Sequence, residues 1–510
     1  MGLNNYAPSD YQYFIHQKLA SDNPISDSRV IKDLIQKDVS TDNQAKRDMY
    51  DGVMYYKGKH DILNRTITYF VDGIEKEDKL AANRRVANAF HKILVDQKTA
   101  YLVGKPIKFA SEDEKYNEKI SEYLNDEFND LICELVKNIS NKGQEWLHPY
   151  ITENGELDFI IIPAEQVIPI YDTKTQKQLI SLIRYYSIAI VDNQGKEKTR
   201  YKVEWWDNEK VTYYTENKDG NYYFDNDEPI NPQYHWYSFN SLKPDEMIAN
   251  SWGCVPFVQF KNNEELSPDL AIYKALIDDY DLNRSDLSNN LADIADAIWV
   301  LKNYDGESIS EFRNNLKAYK AIKVSTDDSG GAGAEPVTVD IPIEARKYQL
   351  ESLKEDIFTL GMGLDVDSDK FGQNPSGVAL KFLYGLLDLK ADVLERKMKK
   401  SLREFLWFVT EYINRTQSKS YDYKEVKFTF NRNMISNTSE MIDNAVKSKG
   451  IVSDETVLAN HPFVEDISEE IKKIEEQGNI NLDNYEITDN PVNPKMTPPD
   501  MMNNSGGGEA

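Results

Sequence analysis

Apolar side chains recur at three- and four-residue spacing in the first third of the chain, which is the pattern of helices that bury one face. This spacing predicts amphipathic helices over residues 83–103 and about 124–142, after an acidic, mostly helical arm that ends near residue 60. Asn83 is placed to cap the first helix, and Gly143 occupies the position of a left-handed cap after the second. The N-terminal part is therefore predicted to be mainly helical.

Between Trp146 and Phe260 the pattern changes to short β-rich runs, separated by turn signals such as Glu153-Asn154-Gly155. These runs predict a meander of strands over residues 157–162, 179–190, 200–206 and 210–214. Successive strand residues point to opposite sides of a sheet. Each of three adjacent aromatic pairs would therefore place one ring on each face, and packing of the strands explains them better than a ligand cage: Tyr185-Tyr186, Trp205-Trp206 and Tyr213-Tyr214.

The helical period returns in the second half. Two helical runs, 268–296 and 343–365, flank an insert that reads as a few strands around a short helix at 308–319. A Gly- and Asp-rich loop follows and leads into a helix without internal proline from about Ser376 to Ile413. Residues 431–477 are predicted to be helical again, and the polar end of the chain to be disordered. This layout is more typical of a structural protein that encloses another molecule than of an enzyme.

The first of the two flanking helices has one acidic face, formed by Asp278, Asp279, Asp281, Asp286 and Asp293. The whole chain has a formal charge of -26. Such a charge repels nucleic acid and anionic lipid at long range, so tight DNA binding is excluded. The net charge is compatible with an ordinary acidic soluble protein. It is also compatible with a protein channel through which DNA slides without adhering.

Sequence signals for enzymatic chemistry are absent. Neither Gly104-Lys105 nor the stretch from Gly52 to Lys59 has the spacing of a phosphate-binding loop, which disfavours an ATPase. The six His residues form no H-x-x-x-H pattern, and Cys133 and Cys254 lie far apart, so no metal site, catalytic residue or cofactor is predicted. Asp278, Asp279 and Asp281 do not converge on a helix, which favours a solvated face over a nuclease cluster.

The sequence carries no signal peptide, and no apolar run approaches the ~18 residues that would span a bilayer. A basic run from Arg396 to Arg403 is flanked by Glu395 and Glu404, which favours a charged helix face over a phosphate-binding patch. No membrane association is predicted.

The sequence resembles the portal proteins of tailed double-stranded-DNA bacteriophages, in particular the SPP1-type portals. The resemblance extends in order over nearly the whole chain. It is strongest in residues 83–109, 136–171, 255–265 and 299–307, and is extended by 386–413 and 459–477. The resemblance to the family is weakest in the N-terminal arm, the loop at 364–375 and the C-terminal tail.

The resemblance implies an α+β, mainly helical portal fold. Its parts are an α/β wing, a two-helix stem, a small α/β clip, a tunnel loop followed by a long kinked helix, and a helical crown. The implied boundaries are arm 1–24, wing 25–265, stem helices 266–294 and 343–363, clip 295–342, tunnel loop 364–375, long helix with return to the wing 376–432, crown 433–480 and disordered tail 481–510.

The resemblance also implies a function. Twelve subunits would form a ring at one capsid vertex, and DNA would pass through its channel during packaging and ejection. The implied DNA-facing residues are the five stem aspartates and, in the tunnel loop, Asp365, Asp367, Ser368, Asp369, Lys370 and Asn374. Glycines at 361, 363, 372 and 377 would allow this loop to change conformation as the DNA duplex passes. The clip would contact the terminase and a head-completion adaptor through Asp305, Glu307, Glu311 and Arg313.

Further implied partners are the major capsid and scaffold proteins, with assembly in the host cytoplasm and residence in the virion. Two other functions remain open from the sequence. One is a capsid-associated, scaffold-like structural protein without a channel. The other is a nuclease or packaging ATPase, which the missing motifs disfavour.

Overall fold

The structure is a computed structural model. It describes residues 10–21, 28–41, 43–79, 81–191, 195–240, 243–293, 298–302, 333–337, 342–365, 377–433, 438–459, 461–464 and 467–482. The chain divides into two compact units. The larger unit comprises Met1–Gln373 with Lys381–Met434, and the smaller comprises Asn374–Leu380 with Ile435–Ala510.

Helices and strands both occur in the described residues, so the fold is α+β as predicted. The helices are α1 Asp10–Ser21, α2 Ser28–Asp38, α3 Gln44–Tyr56, α4 Phe90–Val103, α5 Glu114–Tyr123, α6 Asp126–Lys142, α7 Leu270–Asp293, α8 Ile343–Leu360, α9 Gly377–Gln417, α10 Thr438–Ser448, α11 Asp454–Ala459 and α12 Ile467–Leu482. Short 3-10 turns lie at Asp61–Asn64, Ala164–Gln166 and Tyr423–Glu425.

The strands are short and mostly consecutive. They are β1 Thr68–Val71, β2 Ile74–Glu77, β3 Lys108–Ala110, β4 Gln144–Ile151, β5 Leu157–Ile162, β6 Val167–Tyr171, β7 Leu179–Val191, β8 Glu197–Trp206, β9 Lys210–Glu216, β10 Tyr222–Phe224, β11 Gln233–Tyr234, β12 Trp236–Asn240, β13 Lys243–Asn250, β14 Val258–Lys261, β15 Ile298–Lys302, β16 Gly333–Val337 and β17 Lys427–Thr429.

The predicted meander is confirmed for residues 179–190, 200–206 and 210–214, which form β7, β8 and β9 of one sheet, whereas residues 157–162 form β5, which pairs with β4 in a second sheet. The largest sheet in the described residues has the strand order β10-β9-β8-β7-β6, with β11 pairing with β9, and every pair is antiparallel. A second sheet has the order β14-β4-β5. The predicted use of the aromatic pairs also holds for Trp205 and Trp206. Trp205 packs in a cluster with Ile31, whereas Trp206 packs in a different cluster with Met49.

The long helix α9 supplies one side of the main core and confirms the predicted helix from about Ser376 to Ile413. Its buried apolar residues recur every three or four positions, so they form one stripe. They are Leu387, Ala391, Leu394, Met398, Leu402, Phe405, Val409 and Ile413. The stripe packs on α6, where the rings of Phe128 and Phe405 stack with their centroids 4.9 Å apart. Gly143 ends α6 with φ +84, the left-handed cap that the sequence predicted.

The prediction of one helix over residues 83–103 is wrong in its first third. Helix α4 begins at Phe90, and residues 82–89 are neither helix nor strand. Asn83 does not cap a helix, because its side-chain amide donates to the carbonyl of Arg65 at 3.2 Å. The reason is a set of contacts with α7, whose side chains accept hydrogen bonds from three backbone amides in this stretch.

The insert between α7 and α8 is described only at β15 and β16, which pair antiparallel with Ile298 opposite Val337. This pair agrees with the predicted strands, while the predicted helix at 308–319 lies outside the described residues. In the smaller unit, α10, α11 and α12 agree with the predicted helical region. Helix α12 ends at Leu482, a few residues into the stretch predicted to be a disordered tail.

Candidate functional site

Helices α7 and α8 pack side by side and share one buried apolar cluster with α3 and α4. Its members are Tyr55, Phe90, Leu94, Leu270, Tyr273, Ile277, Ile357 and Phe358. The ring of Phe90 joins the two helices, because it meets Tyr280 edge-on at 4.8 Å and Phe358 edge-on at 5.9 Å between centroids. The two flanking helices of the sequence are therefore held together as one hairpin and fixed to α3 and α4.

A polar stripe on α7 holds the chain segment that precedes α4. Asp281, Ser285 and Asn289 stand four residues apart on one side of the helix, and all three are buried. They accept hydrogen bonds from the backbone amides of Asn88 at 2.9 Å, Val86 at 3.0 Å and Arg84 at 2.6 Å, respectively. Three backbone amides of this non-helical segment thus have side-chain partners on α7.

Asp281 was predicted to face a channel, and the structure corrects this prediction. Its side chain is 0% exposed, and its Oδ2 lies 2.6 Å from Nδ1 of His60, which is also buried. Its Oδ1 accepts from both the backbone and the side-chain amide of Asn88. A carboxylate with these partners is part of the subunit interior, because burial without them would be unfavourable.

Two more of the five aspartates are paired with side chains of the same subunit. Asp286 forms an ion pair with Arg65 at 2.7 Å. Asp278 pairs with Lys274 at 3.1 Å and accepts a hydrogen bond from the hydroxyl of Tyr55. The contacts of Tyr55 and Arg65 attach α7 to α3 and to the segment between α3 and β1.

The remaining two aspartates differ. Asp279 lies on the opposite side of α7 from the apolar cluster and is partly exposed; it accepts from the amide of Asn283 at 2.9 Å. Asp293 is the last residue of α7, and its side chain lies outside the described residues. Among the predicted aspartates of α7 whose side chains the structure describes, Asp279 is therefore the one that remains on an open face without a cationic partner in the described part of the chain.

Helix α8 has an acidic open face that the sequence reasoning missed. Glu344, Glu351 and Glu355 are exposed and stand seven and four residues apart, which places them on one side of the helix. Leu350, Leu353 and Ile357 occupy the buried side. The signal was present in the sequence, because the glutamates alternate with the buried leucines and isoleucine at helical spacing.

A buried ionic cluster lies where α7, one of the two predicted stem helices, begins, and we call it the stem-base cluster. Asp269 accepts from Lys98 of α4 at 3.0 Å and from Lys390 of α9 at 2.9 Å, and Asn262 donates to it at 2.8 Å. Lys390 also donates to the carbonyl of Gly361 at the end of α8, at 2.9 Å. One carboxylate thus connects four helices, and nothing in the local sequence pattern indicated it.

Electrostatics in the stem-base cluster favour the charged carboxylate. Burial alone would raise the pKa of Asp269, but the ammonium groups of Lys390 and Lys98 hold it well below its usual range. Burial lowers the pKa of Lys98 to about 8, and Asp269 opposes that change. The cluster therefore depends on Asp269 for its stability, since two ammonium groups surround one carboxylate.

His91 lies beside the stem-base cluster and makes the larger unit sensitive to acid. Burial lowers the pKa of His91 from 6.5 to about 4, and its Nδ1 lies 2.8 Å from the hydroxyl of Tyr273. Between pH 6.5 and 4 the unfolded chain takes up a proton that the folded chain does not bind, so stability falls as the pH falls through this window. His148 and His235 have the same lowered pKa of about 4.

Replacement of His91 by Gln is expected to weaken this pH dependence by about 1 kcal/mol per pH unit within the window, because one titrating group is removed. The free energy of unfolding of wild type and His91→Gln, measured by urea denaturation at several pH values from 4.5 to 7, checks the prediction. Parallel pH profiles for wild type and His91→Gln would contradict the assignment.

The start of the predicted tunnel loop is firmly attached. The side chain of Gln97 both donates to the carbonyl of Leu364 at 2.8 Å and accepts from its amide at 2.9 Å. Asp365 pairs with Lys354 of α8 at 3.1 Å. A Cβ on Gly363 would lie 2.2 Å from a methyl of Leu94, so this glycine is needed for close packing. The prediction that it supplies mobility is therefore corrected.

The other predicted loop residues lie outside the described residues, namely Asp367, Ser368, Asp369, Lys370 and Asn374. The predicted clip residues also lie outside them, namely Asp305, Glu307, Glu311 and Arg313. Within the described part of the chain, no three His, Cys, Asp or Glu side chains are grouped so that they could hold a metal ion. No helix in that part is long and apolar enough to cross a membrane.

Comparison with known proteins decides the family. A family model described as "Phage portal protein, SPP1 Gp6-like" matches residues 36–481. The chain belongs to the SPP1 portal family. The match includes α7, α8 and α9 together with the sheets, so the family resemblance inferred from the sequence is confirmed.

Two relatives of the chain support the same conclusion. The chain is 38% identical over 455 residues to the portal protein of Bacillus phage SPP1. This match covers 88% of this chain and 86% of that protein. It is 35% identical over 455 residues to the portal protein of Clostridium phage phiCD119, with 87% and 95% covered. Members of the SPP1 portal family are structural components of the phage virion, and these names indicate no enzyme.

Proposed function

We propose that this SPP1-family chain forms a ring of twelve copies at one capsid vertex and that double-stranded DNA passes through the central channel during packaging and ejection. The family match over residues 36–481 carries the proposal. The α7–α8 hairpin supports it, because α7 has 24 residues and is a rod of about 36 Å. Such rods side by side around an axis would enclose a channel; we call the hairpin the stem.

The proposed channel surface is the open face of α8, with Glu344, Glu351 and Glu355, joined by Asp279 of α7. DNA carries one negative charge per ~1.7 Å, so many basic contacts would hold it in place. Carboxylates repel the phosphates and keep the duplex away from the wall. The tunnel loop, 364–375, would narrow the passage with Asp365, Asp367, Ser368, Asp369, Lys370 and Asn374. Its first residues, Leu364 and Asp365, are held by Gln97 and by Lys354 of α8.

The remaining parts of the proposal concern partners. The insert 295–342 would be the clip, and Asp305, Glu307, Glu311 and Arg313 would contact the terminase and a head-completion adaptor. Residues 25–265 would form the wing against the major capsid protein, the long helix at 376–432 would return to the wing, and residues 433–480 would form the crown. Assembly with scaffold protein would take place in the host cytoplasm.

Imaging the purified chain by negative-stain electron microscopy tests the proposal. A ring with a central hole, of mass close to twelve times 58.8 kDa by native mass spectrometry, is expected. Monomers, or sheets without a hole, would contradict the proposal and favour a scaffold-like structural protein.

Reversal of the channel charge is expected to slow DNA passage. In the Glu351→Lys/Glu355→Lys variant, each ring would gain two basic contacts per subunit facing the phosphates, and DNA would adhere. The rate of DNA packaging in an assay with purified terminase should fall, and the defect should lessen as the salt concentration rises. The matched control is Glu118→Lys on the exposed side of α5, which should package as wild type does. Equal rates for all three proteins would contradict the assignment of α8 to the channel.

A further inference from the structure

Strands β1 and β2 form a hairpin that stands free of the rest of its subunit. Val71 pairs with Ile74, and Asp72 and Gly73 form the turn with φ values of +53 and +80, as a two-residue turn between right-twisted strands requires. All eight strand residues are exposed. A two-stranded hairpin is at best marginally stable alone in water, so this one needs something to pack against.

The hairpin exposes apolar side chains on both faces. Tyr69, Val71 and Ile74 lie on one face, whereas Phe70 lies on the other beside Glu75, its partner across the strands. Phe70 is 71% exposed and Ile74 is 62% exposed. Apolar side chains concentrated on one projecting element are typical of a surface that binds another protein.

The base of the hairpin is fixed to α7. Arg65, just before β1, pairs with Asp286 at 2.7 Å. Asn83, after β2, donates to the carbonyl of Arg65 at 3.2 Å, and the amide of Arg84 donates to Asn289 at 2.6 Å. The hairpin therefore projects from a defined side of α7 and does not hang from a loose loop.

That side of α7 is not the side that faces α8. Tyr273 belongs to the cluster shared with α8, and Asp286 follows it by thirteen residues. At 100° per residue the two side chains are about 140° apart around the helix. The α7–α8 pair thus has two unlike outer sides. The hairpin projects from the side of α7, and the surface of α8 forms the other side.

Unlike outer sides meet in a ring. Each subunit of a closed ring places one outer side against the opposite outer side of the next copy, so the contact is heterologous. We propose that the β1–β2 hairpin of one subunit docks on α8 of a second copy of this chain; this inference rests on the proposed ring. The first turns of α8 supply suitable chemistry beside the acidic face, because Ile343 is 54% exposed and the exposed Lys347, which pairs with Glu351 at 3.8 Å within its own helix, is opposite in charge to Glu75 and Glu77.

Photo-crosslinking tests the contact. A benzophenone amino acid in place of Phe70 preserves an aromatic side chain and reacts with whatever lies beside it. Irradiation of the purified ring should give covalent dimers, and mass spectrometry should place the crosslink in the α8 peptide of another subunit. The same probe at Tyr223, exposed on β10, is the control and should give no crosslink to α8. Crosslinks only within one subunit, or none, would overturn the inference.

A charged variant tests the energetics. In Phe70→Glu/Ile74→Glu the circular dichroism and the thermal unfolding of the separated subunit should match wild type, since these side chains are exposed there. The concentration needed for ring formation should rise at least about tenfold, which corresponds to 1.4 kcal/mol. Tyr223→Glu should assemble as wild type does.

The outcomes separate the two proposals. If wild type never forms a ring, the proposed function fails. If wild type forms a ring, the charged hairpin variant forms one equally well and the probe at position 70 gives no crosslink between subunits, the ring stands and the hairpin inference fails. A crosslink from position 70 only to another head protein in assembled particles would also overturn it.

Discussion

Replacing Asp269 by Asn is expected to lower the free energy of unfolding of the larger unit by about 3–5 kcal/mol, because removal of one partner leaves buried charges uncompensated. The side chains of Lys98 and Lys390 lie within 3.0 Å of Asp269 and would then face each other without a carboxylate. Urea unfolding at pH 7 measures the loss. It should shrink as the pH rises past 8, since Lys98 then releases its proton.

A double variant isolates the cause. Lys98→Met/Asp269→Asn removes one charge of each sign, and it should recover part of the stability that Asp269→Asn loses. Glu122→Gln, which removes the exposed partner of Lys119, serves as the control and should have no measurable effect. A loss below about 1 kcal/mol in Asp269→Asn would show that water reaches the stem-base cluster and that the lysines are not effectively buried.

Replacing Asp281 by Ala is expected to cost about 3 kcal/mol or more, because each buried polar group left without a partner costs roughly 1–3 kcal/mol. The amide of Asn88 and the ring of His60 would both lose the carboxylate. Asp281→Asn should lose less, because it keeps an acceptor for the amide. The same urea titration at pH 7 provides the measurement.

Asp279 gives a matched comparison on the same helix. It stands two residues earlier, it is acidic and it is partly exposed, so Asp279→Ala should change the free energy of unfolding by no more than about 0.5 kcal/mol. Similar effects of the two substitutions would contradict the division of α7 into a buried polar side and an open side.

Local patterns predicted the regular elements well. The stripe from Leu387 to Ile413 recurs at helical spacing over most of α9, and the apolar alternation of the β-rich region produced β5 and β7 with boundaries within one residue. Both signals are contained within the segment that forms the element, so no distant contact was needed to interpret them.

The failures have a common physical cause, because the deciding contacts join distant parts of the chain. Val86 and Phe90 have the spacing of a helix, but the amide of Val86 binds Ser285, 199 residues away. Asp281 has the spacing of a solvated face, but its partner His60 is 221 residues away. A single sequence states which residues are acidic, and only the packing decides which of them meet water.

The attachment of residues 84–88 to α7 has a consequence for how the two segments tolerate change. The donors are main-chain amides, which every amino acid except proline supplies, whereas the acceptors on α7 are the individual side chains of Asp281, Ser285 and Asn289. On the side of residues 84–88, these three main-chain contacts exclude only proline at 84, 86 and 88, and the side-chain amide of Asn88 adds a contact of its own with Asp281. On the helix side, three small polar residues must stay together, and the constraint is therefore greater on that side.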